Sequence, residues 1–244
     1  MSKPKVVVIA GPTASGKSKL AVELAKKIDG EIISADSMQI YKDMNIGTAK
    51  IIPDEMSGIK HYMIDFVTPD ERYSVSAYKK EAEKCIEEIL RNRKAPIICG
   101  GTGLYINSLV YGIEFKEEKI DEEYRIKLNN IAENEGLEKL YNMAMKIDPE
   151  AMKKISINDK KRIIRVLEIF NKTGKTKTEQ DRDSRKNELK YDYKIFVLNM
   201  DREVLYDRIN RRVDLMIKEG LVEEVENIIK KYDKFPTAMQ GLRI

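Results

Sequence analysis

Residues Gly11-Pro12-Thr13-Ala14-Ser15-Gly16-Lys17-Ser18 decide how the rest of the chain is read. The octet fits G-x-x-x-x-G-K-[ST]. It follows the apolar run Val6-Val7-Val8-Ile9-Ala10 and precedes Lys19-Leu20-Ala21-Val22-Glu23-Leu24-Ala25, a helix-like segment. Strand, glycine loop and helix are the context in which this pattern means a phosphate-binding P-loop. The glycines let backbone N–H groups converge on phosphate oxygens, and the helix start adds its positive dipole end. In that arrangement Lys17 reaches a terminal phosphate and the Ser18 hydroxyl ligates Mg²⁺. The bland alternative is a structural glycine turn. The motif names the group held, a nucleotide or another phosphorylated donor. It leaves the reaction open.

The strand–glycine–helix pattern then recurs. Ala95-Pro96-Ile97-Ile98-Cys99 runs into Gly100-Gly101-Thr102-Gly103 and a helix from Leu104 to about Val110. Between the two units lie a second strand at Glu31–Ala35, an apolar run at His61–Val67, and a helical stretch from Ser76 to Arg93. Repetition of this unit predicts a parallel sheet flanked by helices, with its active loops at the carboxyl edge. Asp36-Ser37-Met38-Gln39-Ile40-Tyr41, followed by Asn45–Lys50, is a long polar loop at that edge.

From Glu114 to Lys190 the texture changes to charged and helical, with breaks near Gly136, Pro149 and Gly174. An apolar strand then resumes the core at Lys194–Asn199. The expected organisation is an α/β core over residues 1–113 and 191–244, with a helical insertion over 114–190. Glu114–Glu150 carries a net charge of −5 and Ala151–Lys190 one of +7. The basic limb is either a solvated face or a surface for nucleic-acid phosphates. Asp201 is placed to cap a last long helix, on which Arg208 and Arg212 share one face. They either form surface ion pairs with Glu203 or Asp207, or close a pyrophosphate clamp.

Composition narrows the function classes. With 45 Lys+Arg against 41 Asp+Glu the net charge is only +4, so no global affinity for polyanions follows. Two cysteines, Cys85 and Cys99, and one histidine, His61, argue against a zinc site. Met1-Ser2-Lys3-Pro4 leads directly into the first strand, so a soluble, cytoplasmic chain without a membrane partner is expected.

Taken in order, these residues resemble the tRNA dimethylallyltransferases, also called tRNA isopentenyltransferases. The shared marks are GPTASGKS at Gly11–Ser18, DSMQ at Asp36–Gln39, GTAK at Gly47–Lys50 and GGTGLY at Gly100–Tyr105. An NDxxRIxRALE-type segment spans Asn158–Glu168, and an RVDxMxxxGLxEEV helix spans Arg212–Val225. The resemblance implies transfer of a dimethylallyl group from its diphosphate to N6 of an adenosine beside the tRNA anticodon, assisted by Mg²⁺. It implies that Asp36 is the general base, with a metal ligand or a helix cap as the alternative role. Thr13 and Thr102 would bind diphosphate or position the adenine, unless they serve only as turn residues. Ser37, Met38 and Gln39 would meet the RNA, as would Lys161, Arg162, Ile163, Ile164 and Arg165 on the anticodon stem. Met38, Tyr41 and Tyr105 either line an allyl pocket or pack in the core. No obligate protein partner is evident.

Two departures stand out. The family's His-His is here His61-Tyr62. The family also continues past TAMQGIGYKE, whereas this sequence reads Thr237-Ala238-Met239-Gln240-Gly241-Leu242-Arg243-Ile244. A truncated or frame-shifted ending is therefore expected, leaving Leu221, Val222, Val225, Ile228 and Ile229 bare and promoting self-association. The rival functions are a P-loop small-molecule or nucleotide kinase, a prenyltransferase acting on free AMP or ADP, and an inactive RNA-binding remnant.

Overall fold

The structure, a computed structural model, describes residues 3–115, 121–184, 188–232, 236 and 238–239. Residues 237 and 240–244, on which the expected ending falls, lie outside them. The chain divides into two compact units, residues 1–112 with 189–244, and residues 113–188.

In the first unit, β1 (Lys5–Ala10), α1 (Lys17–Ile28), β2 (Gly30–Ser34), α2 (Pro53–Met56) and β3 (His61–Tyr62) follow in order. Then come α3 (Val75–Arg91), β4 (Ala95–Gly100) and α4 (Gly103–Val110). Among the described residues the sheet has five strands in the order β3-β2-β4-β1-β5, all parallel, with β5 at Asp192–Val197. The side-chain period of two sends alternate strand residues to opposite faces. Ile9, Ile32, Ile97 and Cys99 meet Ala21, Val22 and Ala25 of α1. Val8, Ile33 and Ile98 instead meet Tyr78, Ala82, Ile86 and Ile89 of α3 and Tyr105 and Leu109 of α4. Both faces are covered, so every residue of β2 is buried and β4 reads as a nearly continuous apolar run.

Two stretches of the sheet are shorter or more open than their apolar sequences suggest. The run at His61–Val67 is a strand only at its first two residues. Met63 and Asp65 take positive φ, and pairing reappears as a bridge between Val67 and Tyr41. The strand expected to resume the core does so as β5, paired with β1 at the edge of the sheet among the described residues. Ile195, Phe196 and Val197 of β5 are exposed, the last at 69%.

Glycine determines how closely the strand ends approach. A Cβ on Gly100 would lie 2.2 Å from the Ala35 carbonyl oxygen, well inside any real contact. The ends of β4 and β2 therefore meet backbone to backbone, and the loops after them start side by side.

The second unit carries α5 (Glu122–Asn134), α6 (Leu137–Ile147), α7 (Pro149–Met152), α8 (Lys160–Thr173) and α9 (Lys177–Asp183). Leu128, Leu140, Ala144, Met152, Ile163, Val166 and Leu167 form its core. Arg125 grips the buried Glu168 carboxylate with two bonds of 2.6 and 3.0 Å, joining α5 to α8. Gly136 and Gly174 take positive φ where α6 begins and α8 ends. After β5 the first unit closes with α10 (Arg202–Lys218), capped by Asp201, and α11 (Leu221–Lys231), entered through Gly220 at φ 99°.

Candidate active site

The Gly11–Ser18 loop joins β1 to α1 at the carboxyl edge of the sheet. Gly11 and Gly16 have positive φ, as does Ala14 at 63°. Gly11 also has no room for a Cβ, which would stand 2.9 Å from the Leu198 carbonyl oxygen just beyond β5. Gly16 is the N-cap of α1 and offers no side-chain acceptor, so the first N–H groups of the helix are left for another partner. The Lys17 ammonium curls back onto the Pro12 carbonyl at 2.6 Å. Burial lowers its pKa from the ordinary lysine value. Ser15 is buried and its hydroxyl has no hydrogen-bond partner among the described residues. Pro12, Thr13 and Ser18 are exposed.

Asp36 follows β2 at the same edge. One carboxylate oxygen accepts the backbone N–H groups of Met38 (2.9 Å) and Gln39 (3.3 Å). This local turn fixes the side chain, while Oδ2 takes no hydrogen bond among the described residues. Thr102, the N-cap of α4, spends its hydroxyl on Ser37 rather than on its own helix. It accepts the Ser37 N–H at 2.9 Å and donates to the Ser37 hydroxyl at 3.2 Å. Thr102 thus ties the loop after β4 to the loop after β2, directly above the Gly100–Ala35 contact.

The rest of the polar loop is held by side chains. Gln39 donates its amide to the carbonyls of Thr48 and Ala49 at 3.3 and 3.0 Å. Lys50 is pinned between the Tyr41 carbonyl and the Asp65 carboxylate at 2.7 and 2.5 Å. Glu224 of α11 accepts the N–H groups of Asn45, Ile46 and Gly47 at 2.7, 2.7 and 2.9 Å. No sequence reading singled out Glu224, Lys50 or Asp65 as a pair or clamp.

Among the described residues Arg208 and Arg212 make neither of the ion pairs considered for them. Asp207 pairs with Arg211, not with Arg208 or Arg212. Neither Arg208 nor Arg212 has a carboxylate within ion-pair distance among the described residues. A guanidinium nitrogen of Arg208 lies 3.9 Å from where a Gly16 Cβ would stand. Arg212 is partly buried, and burial lowers its pKa; it feels the charge of Asp36, as Lys17 feels that of Arg212. The face of α10 that carries Arg208 and Arg212 therefore looks onto the loop.

Other expectations are corrected. Ile163 and Ile164 sit in the core of the second unit at 0% and 6% exposure, since they occupy the inward stripe of α8. Their side chains face that core and not the solvent. Lys161, Arg162 and Arg165 are on the exposed stripe of the same helix. Tyr105 stacks on Tyr78 with ring centroids 3.9 Å apart, and Tyr41 is buried with Ile40, Met44 and Ile228. Packing accounts for both tyrosines. Ile228 of α11 is buried in this cluster, Val225 packs against it and Leu221 is buried beside Gly47, so the expected bare face is reduced to Val222 and Ile229. His61 is partly buried, which lowers its pKa, and one ring nitrogen meets the Ile59 carbonyl.

The chain matches the family model for IPP transferases over residues 39–244. It is 55% identical to the tRNA dimethylallyltransferase of Acetivibrio thermocellus, over 97% of this chain and 76% of that protein. The chain belongs to this family. A second relative, from Bacillus cytotoxicus, is 50% identical over 93% of this chain and 71% of its own length. Among solved structures, the full-length tRNA isopentenylpyrophosphate transferase of Bacillus halodurans aligns with TM-score 0.67 and 40% identity. That alignment covers 98% of this chain and 74% of the other. A eukaryotic dimethylallyltransferase acting on tRNA aligns with TM-score 0.76 and 36% identity, over 94% of this chain and 57% of that one. Family and parallel α/β fold thus agree with the resemblance read from the motifs.

Proposed function

We propose that the chain transfers a dimethylallyl group from dimethylallyl diphosphate to N6 of the adenosine beside the tRNA anticodon. One observation carries the residue-level reading. Lys17 on its glycine loop, the Asp36 carboxylate with one oxygen unengaged, and the Arg208–Arg212 face of α10 converge on one sheet edge. A cationic cradle and a held carboxylate are what separate donor and acceptor chemistries need.

The backbone of residues 11–18, Lys17, Arg208 and Arg212 hold the diphosphate, together with the exposed Thr13. As the allylic C–O bond breaks, its electron pair leaves with the diphosphate, and the cations stabilise the charge that grows there. The exocyclic amine forms the new C–N bond and loses a proton, which Asp36 Oδ2 accepts. Thr102 fixes Ser37, and Ser37, Met38 and Gln39 form the border against the adenine. To reach this edge the base leaves its stack. Exposed Lys161, Arg162 and Arg165 contact RNA phosphates.

The residues present fit Mg²⁺. Among the described residues no group of three or more His, Cys, Asp or Glu could cage a metal. Mg²⁺ usually takes few protein ligands beside phosphate oxygens and waters, and the Ser18 hydroxyl at the start of α1 suits that pattern. When bound, the ion would neutralise charge on the leaving diphosphate. No described helix is long and apolar enough to cross a membrane, in keeping with action on tRNA in the cytoplasm.

The test is label transfer from radiolabelled dimethylallyl diphosphate to undermodified tRNA, to free AMP, or phosphoryl transfer from ATP. Label in tRNA alone is expected. Transfer to AMP, or γ-phosphate transfer from ATP, would overturn the reading.

A further inference from the structure

We propose that Glu224 is a positioning residue of the transfer reaction: through three backbone N–H groups it sets the acceptor loop that begins at Asp36. The proposal rests on the prenyl-transfer reading above, and it concerns a residue of α11 that touches neither donor nor acceptor.

The argument begins with the donors of the loop. Between Met44 and Lys50 the chain makes only a few internal backbone bonds, Ala49 N–H to the Ile46 carbonyl and Lys50 N–H to the Asn45 carbonyl. The N–H groups of Asn45, Ile46 and Gly47 point the same way and find no backbone acceptor. Glu224 supplies all three acceptors from one carboxylate, with Oε2 taking Asn45 and Ile46 and Oε1 taking Gly47. Bonds of this charge-assisted kind are stronger than neutral ones. The approach is close on both sides. A Cβ on Gly47 would lie 3.2 Å from Leu221 and 3.5 Å from Glu224 itself. Met44, just before the three donors, is buried beside Ile228 of the same helix. Lys231 at the end of α11 adds an ion pair to Asp43 at 2.6 Å.

The clamp reaches the site in two steps. The far side of the loop offers the Thr48 and Ala49 carbonyls to the Gln39 side chain. The Gln39 N–H, in turn, helps hold the Asp36 carboxylate. Glu224 on one side and Gln39 on the other therefore grip one short loop, and Gln39 belongs to the turn that aims Asp36. The preceding helix gives the grip its direction. α10 carries Arg208 and Arg212 onto the Gly11–Ser18 loop, and the Glu219-Gly220 turn then sends α11 onto residues 43–47. One helical hairpin thus touches the donor cradle with its first arm and fixes the acceptor loop with its second.

The test uses the full chain with Glu224→Ala, Glu224→Gln and, as an exposed control on the same helix, Glu226→Ala. Initial rates on an anticodon stem-loop RNA are read at saturating dimethylallyl diphosphate, beside binding of inorganic pyrophosphate. Displacing reacting groups by about an ångström costs up to about a hundredfold, so Glu224→Ala should lower kcat by about ten- to a hundredfold. The KM for dimethylallyl diphosphate and the affinity for pyrophosphate should stay unchanged. Glu224→Gln keeps one oxygen for two of the three N–H groups but turns an NH₂ towards the third, so it should recover part of the rate. Amide exchange at Asn45, Ile46 and Gly47 should quicken in Glu224→Ala. An unchanged rate, a parallel loss of pyrophosphate binding, or unchanged exchange would each overturn the proposal. If the unsubstituted chain prenylates no RNA, the prenyl-transfer reading fails instead. Exchange and pyrophosphate binding still decide whether Glu224 holds the loop.

Discussion

The two halves of the sheet edge are built by opposite means. The half we propose to hold the donor is built around eight consecutive residues whose shape comes from positive-φ backbone and a helix start, with Arg208 and Arg212 of α10 facing them. The half we propose to meet the acceptor is a loop that side chains hold from a distance: Thr102 from 65 positions away, Glu224 from 177 to 179. Much of a phosphate cradle is made of backbone N–H groups, so a contiguous motif can specify most of it. A site that takes a proton from an amine must place one carboxylate against a base. That placement is imposed by the tertiary structure.

The sharpest way to break this contrast is to substitute one residue in each half. Asp36→Asn should lower turnover on tRNA by about 10²- to 10⁴-fold, the usual range for a lost general base. Pyrophosphate binding, measured by calorimetry, should hardly move. Lys17→Ala should do the reverse in part, weakening pyrophosphate binding and rate together. If Asp36→Asn chiefly abolished Mg²⁺-dependent donor binding, Asp36 would be a metal ligand and the halves would not be separate.

The seam between the halves is the next target. At Gly100 an added Cβ would penetrate the Ala35 carbonyl, and backbone on both sides leaves nothing flexible to yield. Gly100→Ala should cost about 3 kcal/mol or more, read from urea unfolding. Gly103→Ala, three residues on and facing open space, should shift stability by no more than about 0.5 kcal/mol. Equal costs at the two positions would show that the strand ends are not in backbone contact.

How much of this was legible follows the same division. The octet, its strand and its helix could be read off because the pattern is local, and so could Gly100–Tyr105. Asp36 was legible by its place at the end of β2. Glu224 was not: an acidic residue in the first turn of a helix ordinarily reads as favourable to the helix dipole. The edge position of β5 was also hidden, because exposed Ile195-Phe196-Val197 has the same composition as a buried strand. In α8 the motif resemblance took Ile163 and Ile164 along with their neighbours. Helical periodicity separates them, since positions 163, 164, 166 and 167 lie on the buried stripe and 161, 162 and 165 do not.

A milder substitution sharpens the contrast within the acceptor half. Gln39→Ala removes both bonds to the Thr48 and Ala49 carbonyls but leaves its own N–H on Asp36. The turn that holds Asp36 survives, and only the loop beyond it loosens. A fall of about tenfold in kcat/KM for tRNA is expected, equivalent to about 1.4 kcal/mol of lost transition-state stabilisation. Donor affinity should again be unchanged. A loss as large as that of Asp36→Asn would mean that Gln39 touches the reacting groups.

The smallest effect belongs to residues that enter neither half. Lys161, Arg162 and Arg165 are exposed on α8, and two of them already have acidic neighbours: Arg162 lies 3.3 Å from Asp159 and Arg165 3.7 Å from Glu168. A partner of this sort lowers the gain from meeting an RNA phosphate, because the ion pair must be loosened or shared. Lys161 should therefore contribute most for a single charge. Each contact that forms releases counterions, so replacing it by Gln should flatten the salt dependence of tRNA binding by somewhat less than about one unit of slope. The triple replacement should shift affinity for tRNA and leave pyrophosphate binding and the rate at saturating RNA in place. The contrast would fail here if the slope were unchanged, since the basic stripe would then be a solvated face with no part in holding RNA. It would fail differently if kcat fell as well, since α8 would then act on the chemistry and not only on the encounter.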